Sequence, residues 1–513
     1  MSASATAVRA SRRTGGLRSA YAAEQRKLLA QTSTRVLALV CLLVPFAFAL
    51  VISRQSGVPG DSLLGVWVHE SGYGVGFVVL DFAGYLGLPV LAAVVAGDLF
   101  AAEDRYGTWK TVLTRSRSRR DLFAAKALVA GVLAVGLALI AAASSIAGAL
   151  VFVGPHSLVG LSGNELSSGH ALVLLLCGWL LNLPPLLGFV GLAILLSVAS
   201  RSGIAGVFGT ALLGMLMQLL GFLGNGSWTH SLLLVSAFDD WHGLLADPSF
   251  FGPLASGLAV SFIWGGLALW AGWALLRRRE FAGPSAGARG WLPTARLVGA
   301  AVVGLIVLGA LSSAGATSIT AGRLQLALGE SFERLTLLQQ RELGRKVPAG
   351  SHLELAMRCA RHGTSHDGPG DDWTCTVTLA SAASTGYDPL KLTSATYDVS
   401  VKSNGCYRAD APPAFIGSQT MRDAHGRSVV NPLYTIYGCF DTTASEGRTP
   451  PSSGPRVTAP VRPAPAKPSK AERDLQQRQL REAEREAGPK VIREQEEEVK
   501  RLEREEREQS PPG

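Results

Sequence analysis

Two groups of residues have side chains that could bind an ion or move a proton. Asp81 lies inside a long apolar stretch, where an ionisable side chain is a candidate for a transport pathway. Alternatively, its carboxylate reaches the headgroup region at the end of that stretch. Asp239, Asp240 and His242 stand together in "AFDDWHG" and could bind a cation. A solvated or interfacial loop is the preferred interpretation of this second group, and no metal site is predicted.

The sequence lacks a motif for binding ATP. It contains no G-x-x-x-x-G-K-[ST], the loop whose backbone amides hold nucleotide phosphates. The apolar stretches also carry no convergent set of His, Asp and Glu side chains. The chain is therefore predicted not to be an enzyme and to bind no cofactor of its own.

The apolar residues are concentrated in long runs. Of the 513 residues, 48% are hydrophobic. Runs of about 18 or more apolar residues are typical of membrane-spanning helices. Seven such runs are present: Val36–Ser53, Gly76–Ala96, Ala127–Val153, Ala171–Val198, Gly203–Gly224, Leu254–Leu276 and Leu297–Ser313. They are rich in small residues, which let helices pack closely in lipid, so a bundle is predicted.

The basic residues predict the orientation of the spans. With the N-terminus inside, the inner segments carry nineteen Lys/Arg residues, and the short outer loops carry only Arg54. This asymmetry follows the positive-inside rule, so the N-terminus is predicted to be cytoplasmic and the C-terminus extracytoplasmic. Some of these residues could also bind anionic lipid headgroups. The charge distribution argues against nucleic acid as a partner.

The remaining segments suggest a membrane-proximal helix, an outer domain and a charged tail. Leu17–Thr34 is predicted to be an amphipathic helix at the interface, or else a solvated extension. The predicted domains are 1–35 (cytoplasmic N-terminus), 36–281 (membrane domain), 282–315 (linker and seventh span), 316–443 (α+β domain), 444–469 (Pro/Ser-rich linker) and 470–513 (charged tail, helical or disordered). In the α+β domain, Arg323–Arg345 has helical periodicity. Strand-like runs follow it in "HLELAMRCA", "WTCTVTLA", "TYDVSVK" and "LYTIYGCF".

Four cysteines fall in the segment that the topology places outside: Cys359, Cys375, Cys406 and Cys439. Disulfides persist outside the cytosol, so two bridges are predicted. Three connectivities are open, and Cys359–Cys375 with Cys406–Cys439 is favoured because each pair flanks one predicted turn or hairpin. The alternative is zinc, with His362 and His366 nearby, but no C-x-x-C spacing supports it.

The segment between the second and third runs, "EDRYGTWKTVLTRSRSRRDLFAAK" (103–126), has a distinctive composition. It resembles the E-x-x-x-G-T-x-x-x-L-L-T-R-P-x-S-R segment, followed by a Lys, of ABC-2-type ABC transporter permeases. Val112 and Ser116 depart from that form. The positions that match are Glu103, Gly107, Thr108, Leu113, Arg115, Ser118, Arg119 and Lys126. The N-terminal "AEQRKLLAQTSTRV" and the "ALLRRREF" ending of the sixth run add weaker support.

The resemblance implies that residues 103–126 form the coupling loop to a separate ATP-binding subunit. ATP and Mg²⁺ would then bind to that partner. Thr108 is expected to cap the helix that follows it, and Glu103 to pair with Arg105 or another basic residue near the interface. The resemblance also implies a second permease subunit, identical or similar, and a bacterial cytoplasmic membrane.

The sequence therefore predicts an α-helical polytopic membrane protein. It would contain a six-span ABC-2-like bundle, a seventh span, a small α+β disulfide-bonded extracytoplasmic domain and a charged C-terminal tail. Its expected function is that of an export permease. The competing hypothesis is a membrane-anchored envelope scaffold or sensor that acts through the outer domain; it requires no ATPase and would leave the loop dispensable.

Overall fold

A computed structural model describes eleven segments of the chain. They are 2–55, 64–109, 118–223, 232–279, 319–348, 351–353, 355–362, 367–379, 394–402, 404–411 and 416–442. For residues 2–15 and 221–223 only the backbone is described. Outside these segments lie the predicted seventh span Leu297–Ser313, the linker 444–469 and the tail 470–513.

Six helices of the described residues are long and apolar enough to cross a membrane. Each coincides with one of the first six predicted runs. Four spans are single helices: span 1 is α2 (Thr32–Arg54), span 3 is α6 (Arg119–Phe152), span 5 is α9 (Gly203–Leu223) and span 6 is α10 (Gly252–Arg278). Span 2 consists of α3 (Gly72–Phe82), a π-helical turn (Ala83–Gly87), α4 (Leu88–Ala96) and α5 (Ala101–Arg105). Span 4 consists of α7 (Ser168–Leu181) and α8 (Leu183–Ser200).

Prolines within the spans have different effects on their helices. Pro45 lies inside α2, which continues past it. Pro184 and Pro185 occupy the first turn of α8, where a missing N–H disrupts no helical hydrogen bond. Span 4 is therefore divided at Asn182. The Asn182 side chain donates to the carbonyl of Gly178 at 2.8 Å, so it satisfies one of the acceptors at the end of α7.

Helices α4 and α9 approach each other at a pair of glycines. A methyl group on Gly206 would overlap the backbone carbonyl oxygen of Gly97, and one on Gly97 would meet the backbone of Gly206. In lipid, such small residues are what allow two backbones to touch. The close packing of spans 2 and 5 thus depends on the absence of side chains at this crossing.

Replacing Gly206 with alanine is expected to destabilise the protein by about 1–3 kcal/mol, because the helix backbones must separate. The matched control is Gly209→Ala on the same helix, where the new methyl would meet only Leu196 Cδ1 at 3.5 Å. Thermal unfolding in detergent would compare them. Equal unfolding temperatures for the two variants would contradict the proposed close contact.

The N-terminal helix α1 (Ser2–Ala30) precedes span 1 and ends at a break at Gln31, whose backbone is extended. It covers most of the predicted Leu17–Thr34 helix. Ala20 and Leu28 of the predicted apolar face are buried, whereas Leu17 is 36% exposed. Helix α1 packs against α6, and its polar residues face the cluster described in the next section.

The C-terminal part of the described chain is a helix packed on an antiparallel sheet, here called the sheet domain (319–442). Its elements are α11 (Ala321–Glu342), β3 (Leu355–Arg361), β4 (Gly370–Leu379), β5 (Ser394–Val401), β6 (Cys406–Asp410), β7 (Thr420–Arg422), β8 (Ser428–Val430) and β9 (Thr435–Cys439). Five strands form a sheet in the order β3-β4-β5-β6-β9, and β7 pairs with β8. A shorter pair, β1 (Leu158–Val159) and β2 (Glu165–Leu166), lies between spans 3 and 4.

The α+β prediction is confirmed, although β6, β7 and β8 were not predicted. The apolar face of α11 supplies much of the core, with Leu324 and Leu328 fully buried. Phe332 packs edge-on against Tyr397 of β5, with ring centroids 6.1 Å apart. Burial of about 150–250 Å² by each aromatic side chain makes such contacts the main source of stability in a small domain.

The favoured disulfide pairing is present in the structure. Cys359 and Cys375 are direct partners in the β3–β4 register, and Cys406 and Cys439 are partners in the β6–β9 register. The two disulfides use all four cysteines, so they replace the zinc site that was the alternative prediction. His362, which was its proposed ligand, instead lies 2.7 Å from the Thr374 hydroxyl through Nε2, and His366 lies outside the described residues.

The sheet domain contacts the end of the bundle opposite Glu103, here called the sheet-domain end. Among the described residues, polar contacts reach three different loops between spans. The amide of Val430 donates to Glu70 at 2.9 Å, Arg341 pairs with Glu165 at 2.5 Å, and Arg334 pairs with Asp247 at 3.0 Å. Burial raises the pKa of Glu70, partly offset by the Val430 amide.

Candidate functional site: the Glu103 cluster

A charge cluster with a buried centre and one exposed member, Lys27, lies at the end of span 2, where the coupling loop begins. Its members, here called the Glu103 cluster, are Glu24, Lys27, Glu103, Thr108 and Lys126. Lys126 is 0% exposed and Glu103 is 2% exposed. Charges this deeply buried are found only where they are paired, because desolvation costs several kcal/mol per ion.

The Lys126 ammonium group has an acceptor for each of its three protons. These are Glu24 Oε2 at 3.0 Å, Glu103 Oε1 at 3.0 Å and the carbonyl of Leu99 at 3.3 Å. An ammonium group has three donors and no acceptor, so its hydrogen bonding is complete. The ammonium also lies 5.8 Å from the ring centroid of Phe100.

Glu103 is held from both sides of its carboxylate. Lys27 donates to Oε1 at 2.6 Å, and the Thr108 hydroxyl donates to Oε2. With Glu24 and Lys126, the cluster contains two carboxylates and two ammonium groups, so its net charge is zero. It fastens α1, the end of span 2 and the start of span 3 to one another.

Gly107 ends helix α5 in a Schellman motif. Its φ of 63° is in the left-handed region that glycine adopts without steric cost. Its amide donates to the backbone carbonyl of Asp104 at 3.2 Å, and the amide of Thr108 donates to the backbone carbonyl of Glu103 at 3.1 Å. These are the two hydrogen bonds of that motif. The turn directs the chain out of span 2 and brings the Thr108 hydroxyl back to the Glu103 carboxylate.

A second set of contacts joins the loop to span 6. Arg279 forms an ion pair with Asp104, and the indole N–H of Trp109 donates to the same carboxylate at 2.9 Å. The Arg279 guanidinium lies 5.9 Å from the Trp109 ring centroid. The basic ending of the sixth span is therefore a structural partner of the loop.

Ser118 and Arg119 stand at the other end of the loop. The Ser118 hydroxyl caps α6 by accepting from the amide of Asp121 at 3.0 Å, a typical N-cap hydrogen bond. Arg119 donates to the carbonyls of Arg277 and Arg279 at 3.1 and 3.0 Å. The Ser118 cap thus defines the start of span 3, and the Arg119 contacts hold that start beside the end of span 6.

Two expectations about the loop concerned the partner of Glu103 and the helix that follows Thr108. Glu103 does not pair with Arg105, which instead pairs with Asp98 at 2.7 Å at an exposed position. The helix that Thr108 was expected to cap lies outside the described residues, as do Leu113 and Arg115.

The members of the cluster that α1 contributes, Glu24 and Lys27, could not be named from the loop sequence. Glu24 and Lys27 are three residues apart and therefore share one face of α1. This spacing is the one signal in the sequence for a paired acid and base at that helix. Asp104 and Arg279 are 175 residues apart and show no such signal.

The second group of ionisable residues lies at the sheet-domain end. The segment "AFDDWHG" was interpreted as a solvated or interfacial loop, and its last residues are not solvated, because Trp241 is 3% and His242 is 2% exposed. Trp241 stacks on Phe77 of α3 with centroids 5.4 Å apart, and this contact brings the segment into the bundle. His242 consequently lies 3.5 Å from Asp81.

Residues 22–216 match the family model described as ABC-2 family transporter protein. No curated protein matches the chain significantly. The matched range includes the end of α1, the first four spans, most of span 5 and the whole Glu103 cluster. Together with the six apolar helices, the match describes a multi-pass membrane protein with a permease-like role in transport. The membrane domain of this chain is therefore consistent with an ABC-2-type permease.

Proposed function

We propose that this chain is the membrane subunit of an ABC exporter and that a separate ATP-binding subunit docks on the 103–126 loop. The observation that carries the proposal is the Glu103 cluster. Lys126 at the start of span 3 is bonded to Glu103 at the end of span 2 and to Glu24 of α1. The two ends of the loop are thus joined at its base by a buried ion pair.

A loop whose two ends are joined in this way is suited to the transmission of force. A loop whose ends were independent would flex when a partner pushed on it. Here the Gly107 turn, the Glu103–Lys126 pair and the Asp104–Arg279 pair connect the loop to spans 2, 3 and 6 and to α1. Displacement of the loop by a partner would therefore move several spans together.

The basic residues of the loop are proposed to provide the docking surface. Arg115, Arg117, Arg119 and Arg120 lie in or beside it. Exposed charged contacts steer association without the desolvation cost of buried ones. ATP and Mg²⁺ would be held by the partner, and a second permease subunit would complete the assembly within the lipid bilayer.

The alternative function, an envelope scaffold or sensor, is favoured by the sheet domain. That domain is disulfide-bonded and contacts three loops of the bundle. The alternative assigns no role to a buried ion-pair cluster at the opposite end. A cluster with the desolvation cost of the Glu103 group is better explained by a function at that end of the bundle.

The test compares two glycines that share the same backbone conformation. Gly107 (φ 63°) and Gly426 (φ 78°) both have open space around the position of a Cβ, and both donate an amide hydrogen bond. Proline fixes φ near −65° and removes the N–H, so each substitution introduces the same local defect. Gly107 lies in the loop, whereas Gly426 lies in the β7–β8 turn.

The experiment is gentle solubilisation from native membranes, followed by identification of co-purifying proteins. We expect an ATPase with a phosphate-binding loop to co-purify with the wild type and with Gly426→Pro, and to be lost from Gly107→Pro. Size-exclusion chromatography would verify that both variants are inserted and monodisperse. If no ATPase accompanies the wild type, or if Gly107→Pro retains it, the coupling proposal is wrong and the sheet domain becomes the focus.

A further inference from the structure

A histidine and two carboxylates converge at the sheet-domain end of the bundle. Asp81 lies in the last turn of α3, immediately before the π-helical turn. Asp239 lies between two short 3₁₀ turns that precede span 6, and His242 lies in the second of them. One potential ligand atom from each of the three lies within 4.8 Å of the other two. Asp81 is far in sequence from Asp239 and His242, so the fold brings it to them.

His242 is buried without hydrogen-bond partners. Its side chain is 2% exposed, and neither ring nitrogen has a hydrogen-bond partner among the described residues. The nearest acidic oxygen, Asp81 Oδ1, is 3.5 Å from Nε2. Leaving a buried polar group unsatisfied costs about 1–3 kcal/mol, so such a group calls for an explanation. A ligand bound between the imidazole and the carboxylates would supply one.

We propose that Asp81, Asp239 and His242 bind a divalent transition-metal cation, with Zn²⁺ as the best match. Imidazole nitrogen together with carboxylate oxygen is a donor set that Zn²⁺ accepts. Two carboxylates balance the charge of the ion. Three protein ligands leave a fourth tetrahedral position for water, as in zinc sites with an open coordination position.

The distances are compatible with such an ion. Zinc–ligand bonds of about 2.1 Å place tetrahedral donors about 3.4 Å apart. The Asp81–His242 separation of 3.5 Å already has this value, and the other pairs lie within 4.8 Å. His242 itself is fixed by its neighbour Trp241, whose ring stacks on Phe77.

A competing cation lies near the cluster. Lys402, at the end of β5 in the sheet domain, interacts electrostatically with Asp81. The positive charge of its ammonium group would repel the metal ion, so Lys402→Met should tighten metal binding.

The experiment is calorimetric titration of the full-length protein in detergent with Zn²⁺, after treatment with a chelator. The affinity tag must contain no histidine. We expect one saturable site per chain. His242→Gln and Asp239→Asn should weaken it by more than about 100-fold, because even the loss of an outer-shell partner of a metal ligand costs 10–100-fold. Co²⁺ in place of Zn²⁺ should give the visible absorption of a tetrahedral complex.

The matched control is His170→Gln, which removes an exposed histidine at the start of α7. It should bind Zn²⁺ like the wild type. Asp239→Asn changes a partly exposed side chain, so this variant still tests the proposal if His242→Gln fails to fold. No saturable binding by the wild type, or equal affinity in the wild type and Asp239→Asn, would overturn the proposal. Tighter binding by Lys402→Met would support it through an independent residue.

Discussion

Replacing Lys126 with methionine is expected to destabilise the protein by about 3–5 kcal/mol, which is the usual cost of removing one partner from a buried ion pair. Methionine fills a similar volume, so the effect comes from charge rather than from a cavity. Glu24 and Glu103 would remain close together with only Lys27 to balance them. Thermal unfolding of the purified protein in detergent is the measurement.

The exposed ion pair near the same site provides the control. Arg105→Met removes the pair between Arg105 and Asp98, whose side chains are 52% and 39% exposed. Exposed pairs contribute little to stability, so this variant should unfold like the wild type. If Lys126→Met and Arg105→Met unfold alike, the Glu103 cluster is not the buried network described above.

A double-mutant cycle separates the Lys126–Glu103 interaction from other effects. Glu103→Gln removes the second charge of the pair while it keeps the size of the side chain. In the variant that carries both substitutions, the total destabilisation should fall short of the sum of the two single effects by about 0.5–3 kcal/mol. Additive effects would mean that Lys126 and Glu103 do not stabilise each other. The proposed function adds a second readout, because Lys126→Met should also weaken stimulation of the partner's ATP hydrolysis.

Removal of the Cys406–Cys439 disulfide is expected to destabilise the sheet domain by about 2–5 kcal/mol. The bridge closes a segment of 33 residues and joins β6 to the edge strand β9. Replacing both cysteines with alanine frees that segment in the unfolded state, and the resulting gain in chain entropy opposes folding. Limited proteolysis of the full-length protein, with cleavage mapped to the sheet domain, would detect the change.

The Cys359–Cys375 bridge gives an internal comparison. It closes only 16 residues. Each doubling of loop length adds about 0.6 kcal/mol of closure entropy, so removal of this bridge should cost about 0.6 kcal/mol less. Cys177→Ala, at a free cysteine within span 4, controls for the loss of a thiol. Unchanged proteolysis after loss of the longer bridge would contradict the expectation.

The membrane helices could be predicted from sequence because their signal is local and strong. The first run, Val36–Ser53, corresponds to the helix Thr32–Arg54, and the sixth, Leu254–Leu276, to Gly252–Arg278. The underlying cause is the bilayer, which requires a continuous apolar segment of fixed length. The π-helical turn after Asp81 was not predicted, since it adds one residue to a turn without any change in composition.

Strands and sites were predicted less completely, for a different physical reason. β6 contains Cys406 and Arg408 among five residues, so it is too short and too polar for its alternation to be recognised. The loop motif singled out Glu103 and Lys126, and the structure joins them. Their partners Glu24 and Lys27 depend on how α1 packs, which no local periodicity encodes. The same holds for Asp81 and His242, which meet only after spans 2 and 6 have assembled.

The contacts of the sheet domain have a mechanical consequence. Glu70, Glu165 and Asp247 belong to the loops between spans 1 and 2, 3 and 4, and 5 and 6. The sheet domain thus acts as a crossbar over all three helical hairpins. Splaying any one hairpin away from the other two would break the contact at its own loop, whereas a common tilt of all three would leave every contact intact. The crossbar therefore favours concerted motion of the bundle over the opening of a single hairpin.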